Sequence, residues 1–412
     1  MRAPLPSGLT FPVIWTAFAA LLALICAAFT PFMIKASSDP APGAFSNTAD
    51  KPPGGDFVVF YAAGSLAQQG RIADAYDVKA LHASYQDFTA ATGRESIFAY
   101  PPVVLPPMAA IAALPPWPAL GAWMAALALC AGASAWFATR RASSIGGALL
   151  YPGTALTVAF GQTSLFAAPS FALALTWWTT RPLLAGAALG ALIWKPHLAL
   201  GAGLIALATR QWRVVAGGVL GALGLVFLTL PFVGFEAWMA FANALGAQAD
   251  RTADGVLTLT RMPTAFAAAR AYGMDGAGAM LVHALAVLAG MAAVLRLWRC
   301  EALWVRAFAL TISAVLISPY VYDYDLGLLS LPFAILLGEA FANRAMRTWP
   351  TLAWLILLAA TPILASLVHF AAALNVGAFL VAGLILAAVI GPLRLTWVGA
   401  PSPTPLAALH PA

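Results

Sequence analysis

Five short polar motifs interrupt an apolar chain, and two of them carry side chains suited to group transfer. Asp56 follows Gly54 and Gly55, directly before an aromatic-rich segment. Its carboxylate is of the type that acts as a general base, and the structural alternative is a helix N-cap. Lys195 stands in IWKPHLAL, between two short apolar runs. A cation near membrane depth is expensive and is a candidate ligand for a phosphate, and the alternative is snorkelling to the interface.

The other three motifs suit the binding of a hydroxyl-bearing substrate. Tyr100 precedes two prolines in FAYPPVV, Gln162 lies in FGQTSLF, and ISPYVYDYDLGLLSLP contains Tyr320, Tyr324 and Asp325. Aromatic faces stack on sugars, and amides and carboxylates hydrogen-bond to hydroxyls. As structural alternatives, Tyr100 is an interfacial anchor in an X-Pro segment and Gln162 satisfies exposed helix ends. An aromatic belt explains the tyrosines of the last motif but not its aspartates.

Two more side chains complete the set of candidates. His197, two residues after Lys195, is a candidate for sugar or acceptor binding, although a lone histidine is more often a packing residue. Arg261 is a second candidate for binding a phosphate. The only Asp-x-Asp, at 323–325, lies in a turn at the membrane, and the three cysteines have neither zinc spacing nor a disulfide framework. We therefore expect no metal and no cofactor.

The composition indicates which kind of structural element carries these motifs. Of 412 residues, 62% are hydrophobic and 9% are charged, against about 25% charged in a soluble domain. The apolar runs are long and unbroken, which favours transmembrane helices over a barrel. The net charge of +6 is scattered at the ends of apolar runs, which is typical of topology signals and not of a nucleic-acid surface.

The sequence predicts an all-α integral membrane protein with about twelve transmembrane helices. The first run, after Arg2, is too long for a typical signal peptide, so we expect an uncleaved helix. The predicted spans lie near 11–34, 101–139, 143–160, 162–179, 182–194, 196–209, 214–233, 278–295, 303–319, 325–342, 350–370 and 376–393.

Arginine positions predict the topology. If 101–139 crosses the membrane once, the short loops rich in arginine and both chain ends lie in the cytoplasm. Two full crossings there, as a hairpin, would put most of those arginines outside. The single crossing places all five polar motifs on the outer face. Because all five motifs share that face, the functional interpretation of each one is favoured over its structural alternative.

Two long loops then lie outside, at 35–99 and 234–277. We expect helices at Phe57–Leu66 and Ala80–Phe88 along the membrane interface, and a helix at Phe235–Ala247. The whole of 1–412 is predicted to be one membrane-embedded domain, in which 35–99 is the first extracytoplasmic loop and 341–412 holds the C-terminal helices and a cytoplasmic tail.

The order of these motifs resembles glycosyltransferase family 87. The resemblance rests on Gly-Gly-Asp before an aromatic helix, Tyr-Pro-Pro, a Gly-Gln turn, a lysine between short helices, and Ser-Pro-Tyr followed by Tyr-Asp, over about residues 50–340. It implies a GT-C-type polytopic fold, an extracytoplasmic active site, and a catalytic base in the first outer loop, which here is Asp56. In some relatives the Ser-Pro turn carries histidines, where this chain has Tyr324 and Asp325.

The predicted activity is transfer of a hexose, of the mannose type, from a polyprenyl-phosphate donor to an acceptor hydroxyl on a glycan or glycolipid. Asp56 is the predicted base, the reaction inverts the anomeric centre, and Lys195 and Arg261 bind the donor phosphate. Tyr100, Gln162, His197, Tyr320, Tyr324 and Asp325 are the predicted sugar- or acceptor-binding residues. The predicted location is the bacterial inner membrane, with the site facing the periplasm. The alternatives are a secondary transporter and a non-catalytic membrane subunit that binds sugar or lipid.

Overall fold

The computed structural model describes residues 54–86, 97–253, 259–372 and 375–390. Of these residues 83% are helical, and none of them lies in a β-strand. The predicted first span at 11–34 lies outside the described residues, as do part of the loop 35–99 and the whole C-terminal tail after the last predicted span. The all-helical prediction is confirmed for the described part of the chain.

Sixteen α-helices follow one another in the described residues. They are α1 (Phe57–Gln68), α2 (Val78–Gln86), α3 (Leu105–Ala112), α4 (Pro116–Thr139), α5 (Ala142–Leu150), α6 (Pro152–Ala159), α7 (Ala168–Trp177), α8 (Pro182–Gly190), α9 (His197–Ala208), α10 (Trp212–Ala253), α11 (Ala265–Ala271), α12 (Gly276–Trp298), α13 (Leu303–Ile317), α14 (Ser330–Ala342), α15 (Trp349–Ala372) and α16 (Gly377–Ile390). Short 3₁₀ turns join several of them, including Ser164–Ala167, Ala191–Trp194, Leu259–Arg261 and Asp323–Leu329.

Prolines and glycines account for most of the breaks. Pro116, Pro152 and Pro182 each begin a helix, because the missing N–H of proline would be unpaired at that position anyway. The predicted span 101–139 therefore consists of the short α3 and the long α4, separated at Pro115. In α10 the backbone bends at Gly234 (φ 70°), between the predicted span and the helix predicted after it.

Five helices of the described chain are long and apolar enough to cross a membrane, or six with one bent pair. The five are Pro116–Thr139, Trp212–Gly246, Gly276–Trp298, Asp323–Ala342 and Trp349–Ser366, and the bent pair is Pro152–Ala159 with Ser164–Trp177, which turns by 120°. Along α10, Leu220, Phe227 and Phe232 are 64–69% exposed, a surface suited to lipid and not to water. The chain thus has the helices of a membrane protein, while the predicted number of about twelve stays a prediction.

Three of the arginine-rich loops, those near Arg140, Arg181 and Arg299, lie at one end of the helix bundle. The Arg140 guanidinium lies over Phe137, whose ring packs against Trp177. The next residue, Trp178, contacts Trp298 at 4.6 Å between ring centroids. Along α4 that end is about 25 Å from Trp123, as 1.5 Å per residue gives, and the Trp123 indole contacts the polar turn at Gly161. Arg140 and the polar turn at Gly161 are therefore separated by nearly the thickness of a bilayer's hydrocarbon core.

Helix α1 has a different environment from the one predicted. Nine of its 12 residues are buried, whereas an interfacial helix has one face in lipid and one in water. The reason lies in its sequence, FVVFYAAGSLAQ, which is apolar on every side and so favours burial within protein. Its rings pack on Trp123 of α4, with Phe57 and Phe60 at 5.5 and 5.3 Å.

Candidate active site

The bend between α6 and α7 is the centre of the candidate site. We call residues 160–164, Phe-Gly-Gln-Thr-Ser, the central turn. Its backbone reverses at Gly161 (φ 62°) and meets the two glycines before Asp56, which also have positive φ. The Asp56 N–H donates to the carbonyl of Phe160 at 3.0 Å. A Cβ at Gly161 would lie 2.0 Å from the carbonyl oxygen of Gly54, so only glycine permits this approach.

The Asp56 carboxylate lies against the central turn. The residue is exposed and stands at the N-cap position of α1, but its side chain makes no capping hydrogen bond. The carboxylate instead accepts a hydrogen bond from Nε2 of Gln162. The structural alternative, a carboxylate present only as a cap, is not what the geometry shows.

Gln162 has both ends of its amide engaged. The residue is 4% exposed. Its Nε2 donates to Asp56, and its Oε1 accepts from the Tyr100 hydroxyl at 3.5 Å. That hydroxyl also lies 3.1 Å from Oγ1 of Thr163. The predicted contact of Gln162 with a sugar stays a prediction, and its observed contacts are those of a residue that orients Asp56.

Lys195 forms a buried ion pair with Asp325. Its Nζ lies 2.5 Å from the Asp325 Oδ1 and 3.2 Å from the Ser164 hydroxyl, which itself donates to the same carboxylate oxygen. Lys195 is 7% exposed and Asp325 is 2% exposed. The other oxygen of Asp325 accepts from the N–H of Tyr322 at 3.1 Å. Lys195 therefore has a protein partner within the site and does not reach out to the interface.

Arg261 forms a second ion pair, with Asp323. Its Nε and Nη2 donate to the two carboxylate oxygens at 3.2 and 2.7 Å. Asp323 is fully buried and also accepts from the hydroxyl of Ser366 at 2.7 Å. The guanidinium lies 4.1 Å above the Phe160 ring, a favourable cation–π arrangement.

The Tyr324 ring lies between the two cations. The Lys195 Nζ and the Arg261 Cζ are each 5.7 Å from its centroid. Tyr324 is 9% exposed and stacks on Tyr322 at 5.3 Å. Tyr320 lies farther out, 42% exposed, with its ring against Phe266.

Consecutive residues of the central turn thus touch every motif that the sequence singled out. Phe160 contacts Arg261, Gly161 contacts the Gly-Gly-Asp loop, and Gln162 binds Asp56. Thr163 then contacts Tyr100, and Ser164 contacts both Lys195 and Asp325.

The model of glycosyltransferase family 87 matches residues 98–319, just over half of the 412-residue chain. The chain belongs to glycosyltransferase family 87. No curated protein and no solved structure matches it.

The family 87 match covers only part of the candidate site. Tyr100, Gln162, Lys195, His197 and Arg261 lie inside 98–319, as does the whole central turn. The Asp56 loop precedes the match, and the turn that carries Tyr320, Tyr324 and Asp325 follows it. Contacts across the site, and not the family match, connect these outer segments to the matched region.

Charge acts across the whole site. Asp56 is within electrostatic range of Lys195 and of Arg261. Burial lowers the pKa of Arg261, but Asp323, Tyr324 and Asp56 together raise it above its ordinary value, so the guanidinium stays charged. Burial raises the pKa of Tyr100, and its hydroxyl stays protonated at neutral pH. The site thus presents the exposed carboxylate of Asp56, the buried cation of Lys195 and the partly buried cation of Arg261.

His197 lies at the edge of the site. Its imidazole interacts electrostatically with both Lys195 and Asp325. Its Nε2 is buried and has no hydrogen-bond partner in the described part of the chain. No contact with the central turn is observed in the described residues. Its predicted role in binding sugar or acceptor stays a prediction.

The sequence reasoning missed several members of the network. Thr163 and Ser164 belong to a motif that had been singled out, but they were not chosen as site residues. Tyr322 and Asp323 were recognised as part of a turn suited to sugar binding, but neither was assigned a role of its own. Ser366 was missed entirely, although a polar residue inside an apolar span is itself a signal. Within the described residues, no group of three or more His, Cys, Asp or Glu side chains is arranged to hold a metal ion. The predicted metal independence stays a prediction.

Proposed function

We propose that this family 87 protein transfers a hexose from a polyprenyl-phosphate donor to an acceptor hydroxyl, with Asp56 as the general base. Family membership implies glycosyltransferase activity. The observation that carries the finer proposal is the arrangement around the central turn, whose consecutive residues contact the exposed carboxylate of Asp56 and the cations of Lys195 and Arg261.

The reaction is a single displacement with inversion. The acceptor oxygen attacks the anomeric carbon while its proton passes to the Asp56 carboxylate. The bond between the anomeric carbon and the phosphate oxygen breaks, and its electron pair stays on the phosphate. Gln162 holds Asp56 in place by its hydrogen bond, and a fixed base position is a large part of what such a site contributes.

The leaving phosphate receives its charge stabilisation from Arg261 and Lys195. Among the described residues, Asp323 engages Nε and Nη2 of Arg261, so the Nη1 hydrogens remain for a phosphate oxygen. The Lys195 ammonium donates hydrogen bonds to Asp325 and Ser164. Since an ammonium has three N–H donors, one remains for a phosphate oxygen. Preorganised positive charge of this kind stabilises a developing phosphate charge by several kcal/mol, on the order of 3 per donor.

The remaining parts of the proposal come from the sequence analysis. We propose that the exposed Tyr320 ring stacks on a sugar, and that Tyr324, near both cations, contributes to the same binding site. The hexose is proposed to be of the mannose type and the acceptor a glycan or glycolipid. The reaction is proposed to take place at the periplasmic face of a bacterial inner membrane, where the donor's lipid tail stays in hydrocarbon.

The test uses purified full-length protein in lipid nanodiscs. A short-chain polyprenyl-phosphate mannose is supplied with and without a membrane glycolipid extract, and release of polyprenyl phosphate is followed by mass spectrometry. We expect release that depends on both the protein and the acceptor. Binding of the donor without release would indicate a non-catalytic subunit, and movement of the donor across sealed vesicles without release would indicate a transporter. Either result would overturn the proposal.

A further inference from the structure

The loop that carries Arg261 is held by the C-terminal helices. The Asn375 amide, just before α16, donates to the carbonyl of Leu259 at 2.8 Å and to that of Met262 at 2.9 Å. These two carbonyls flank Arg261 on both sides. Asn375 is 1% exposed, so both hydrogen bonds are shielded from water.

The orientation of the Asn375 amide follows from these contacts. Its Oδ1 has no donor among the described residues, and a flipped amide would face two carbonyls with an oxygen, which is repulsive. Two further contacts hold this segment in place. The Tyr272 hydroxyl donates to the Asn375 carbonyl at 3.1 Å, and a Cβ at Gly377 would lie 2.8 Å from Cβ of Pro263.

A second contact reaches the same guanidinium through its carboxylate partner. Ser366 of α15 is fully buried and donates to Oδ2 of Asp323 at 2.7 Å. The same oxygen accepts from Nε of Arg261. Ser366 therefore fixes the carboxylate that in turn orients the guanidinium, while Asn375 fixes the backbone on which it stands.

We propose that Asn375 and Ser366 are positioning residues that set Arg261 for recognition of the donor phosphate, so that the C-terminal helices complete the active site. Both residues lie beyond the family match, which ends at 319. The inference rests on the proposed function, in which Arg261 meets the phosphate. It adds a requirement for α15 and α16 that neither the family match nor the polar motifs contain.

The experiment measures phosphate recognition apart from catalysis. Farnesyl phosphate and farnesol are the probes, and their binding to the full-length protein in nanodiscs is measured by microscale thermophoresis. The ratio of the two affinities reports contacts with the phosphate alone, because the lipid chains are identical. A general loss of packing would weaken both ligands and leave that ratio unchanged.

We expect Asn375→Ala and Ser366→Ala each to weaken farnesyl phosphate binding about three- to tenfold, the value of a lost hydrogen bond. Farnesol binding stays as in the wild type. Thr361→Val is the matched control. Thr361 is a buried hydroxyl of the same helix α15, 3% exposed, and donates only within that helix among the described contacts, to the Leu357 carbonyl at 2.8 Å. Its affinity ratio stays unchanged.

A double variant separates this inference from the function on which it rests. In an Arg261→Gln background, Asn375→Ala should cause no further loss, because its effect acts through the guanidinium. An undiminished loss in that background, or an unchanged ratio in both Asn375→Ala and Ser366→Ala, overturns the positioning role alone. An unchanged ratio in Arg261→Gln overturns the phosphate role of Arg261, and the positioning role with it.

Discussion

Variants of the Lys195–Asp325 pair are expected to separate the pair's contribution to stability from its contribution to phosphate binding. Both side chains are buried, at 7% and 2% exposure, with the Nζ 2.5 Å from the carboxylate. Removing one partner leaves the other charge buried and unpaired, which costs about 3–5 kcal/mol. Lys195→Met is therefore expected to lower the free energy of unfolding by about that amount and to abolish farnesyl phosphate binding.

The double variant Lys195→Met/Asp325→Asn removes both charges and keeps the shape of both side chains. In the wild type the Tyr322 N–H donates to Oδ2 of Asp325 at 3.1 Å. The side-chain oxygen of an asparagine at this position can still accept that hydrogen bond. Since replacing a whole buried pair is often near neutral, we expect most of the lost stability to return. Phosphate binding should not return, because the cation is still missing.

Two measurements on each variant test this reasoning. Urea-induced unfolding in detergent micelles gives the free energy of unfolding, and thermophoresis gives the affinity for farnesyl phosphate. Recovery of stability without recovery of affinity is the expected result. A double variant that regains both would show that Lys195 serves only to neutralise Asp325, and it would refute the phosphate role.

Three further changes test the other parts of the site. Gln162→Leu should lower the turnover number about tenfold or more by removing a hydrogen bond to a charged group, with donor KM unchanged; an unchanged turnover in steady-state assays would oppose an orienting role. Gly161→Ala should destabilise the protein and abolish transfer, because its Cβ would overlap the Gly54 carbonyl, whereas Gly121→Ala meets open space and should leave thermal stability and rate as in the wild type. In cells, a cysteine at the exposed Arg71 should react with an impermeant maleimide before permeabilisation and one at Arg210 only after it; the reverse pattern would invert the proposed topology.

Several features of the fold were readable from the sequence for identifiable reasons. The apolar runs near 278–295 and 303–319 correspond to α12 and α13 because each run is almost continuously apolar, and Asp275 caps the start of α12. The bend in α10 follows from Gly234, whose backbone takes a conformation open to glycine. The buried position of α1 was also readable, since FVVFYAAG has no polar face, but the long-loop context led to an interfacial prediction instead.

The pairings within the site were beyond reach of the sequence. Each polar motif was found because a charge or amide among apolar residues stands out. Asp56 and Gln162 are 106 positions apart, and Lys195 and Asp325 are 130 apart, so their pairing depends on how the helices pack. For the same reason Lys195 was assigned to a ligand phosphate alone, without its internal partner Asp325.

The contribution of the C-terminal helices to the site was the feature least predictable from the sequence. Ser366 and Asn375 are single polar residues among apolar neighbours, with no motif around them. Their importance comes only from the loop they contact, and that loop approaches them through the tertiary fold.

The most direct test of the account is transfer by Asp56→Asn, measured with the nanodisc assay for polyprenyl phosphate release. The asparagine oxygen can still accept from Gln162, so the affinity for farnesyl phosphate and the unfolding temperature should match the wild type. Loss of a general base predicts a fall in turnover of about 10²- to 10⁴-fold. A variant that binds and folds normally and still transfers sugar at the wild-type rate would contradict the assignment of Asp56 and the mechanism built on it.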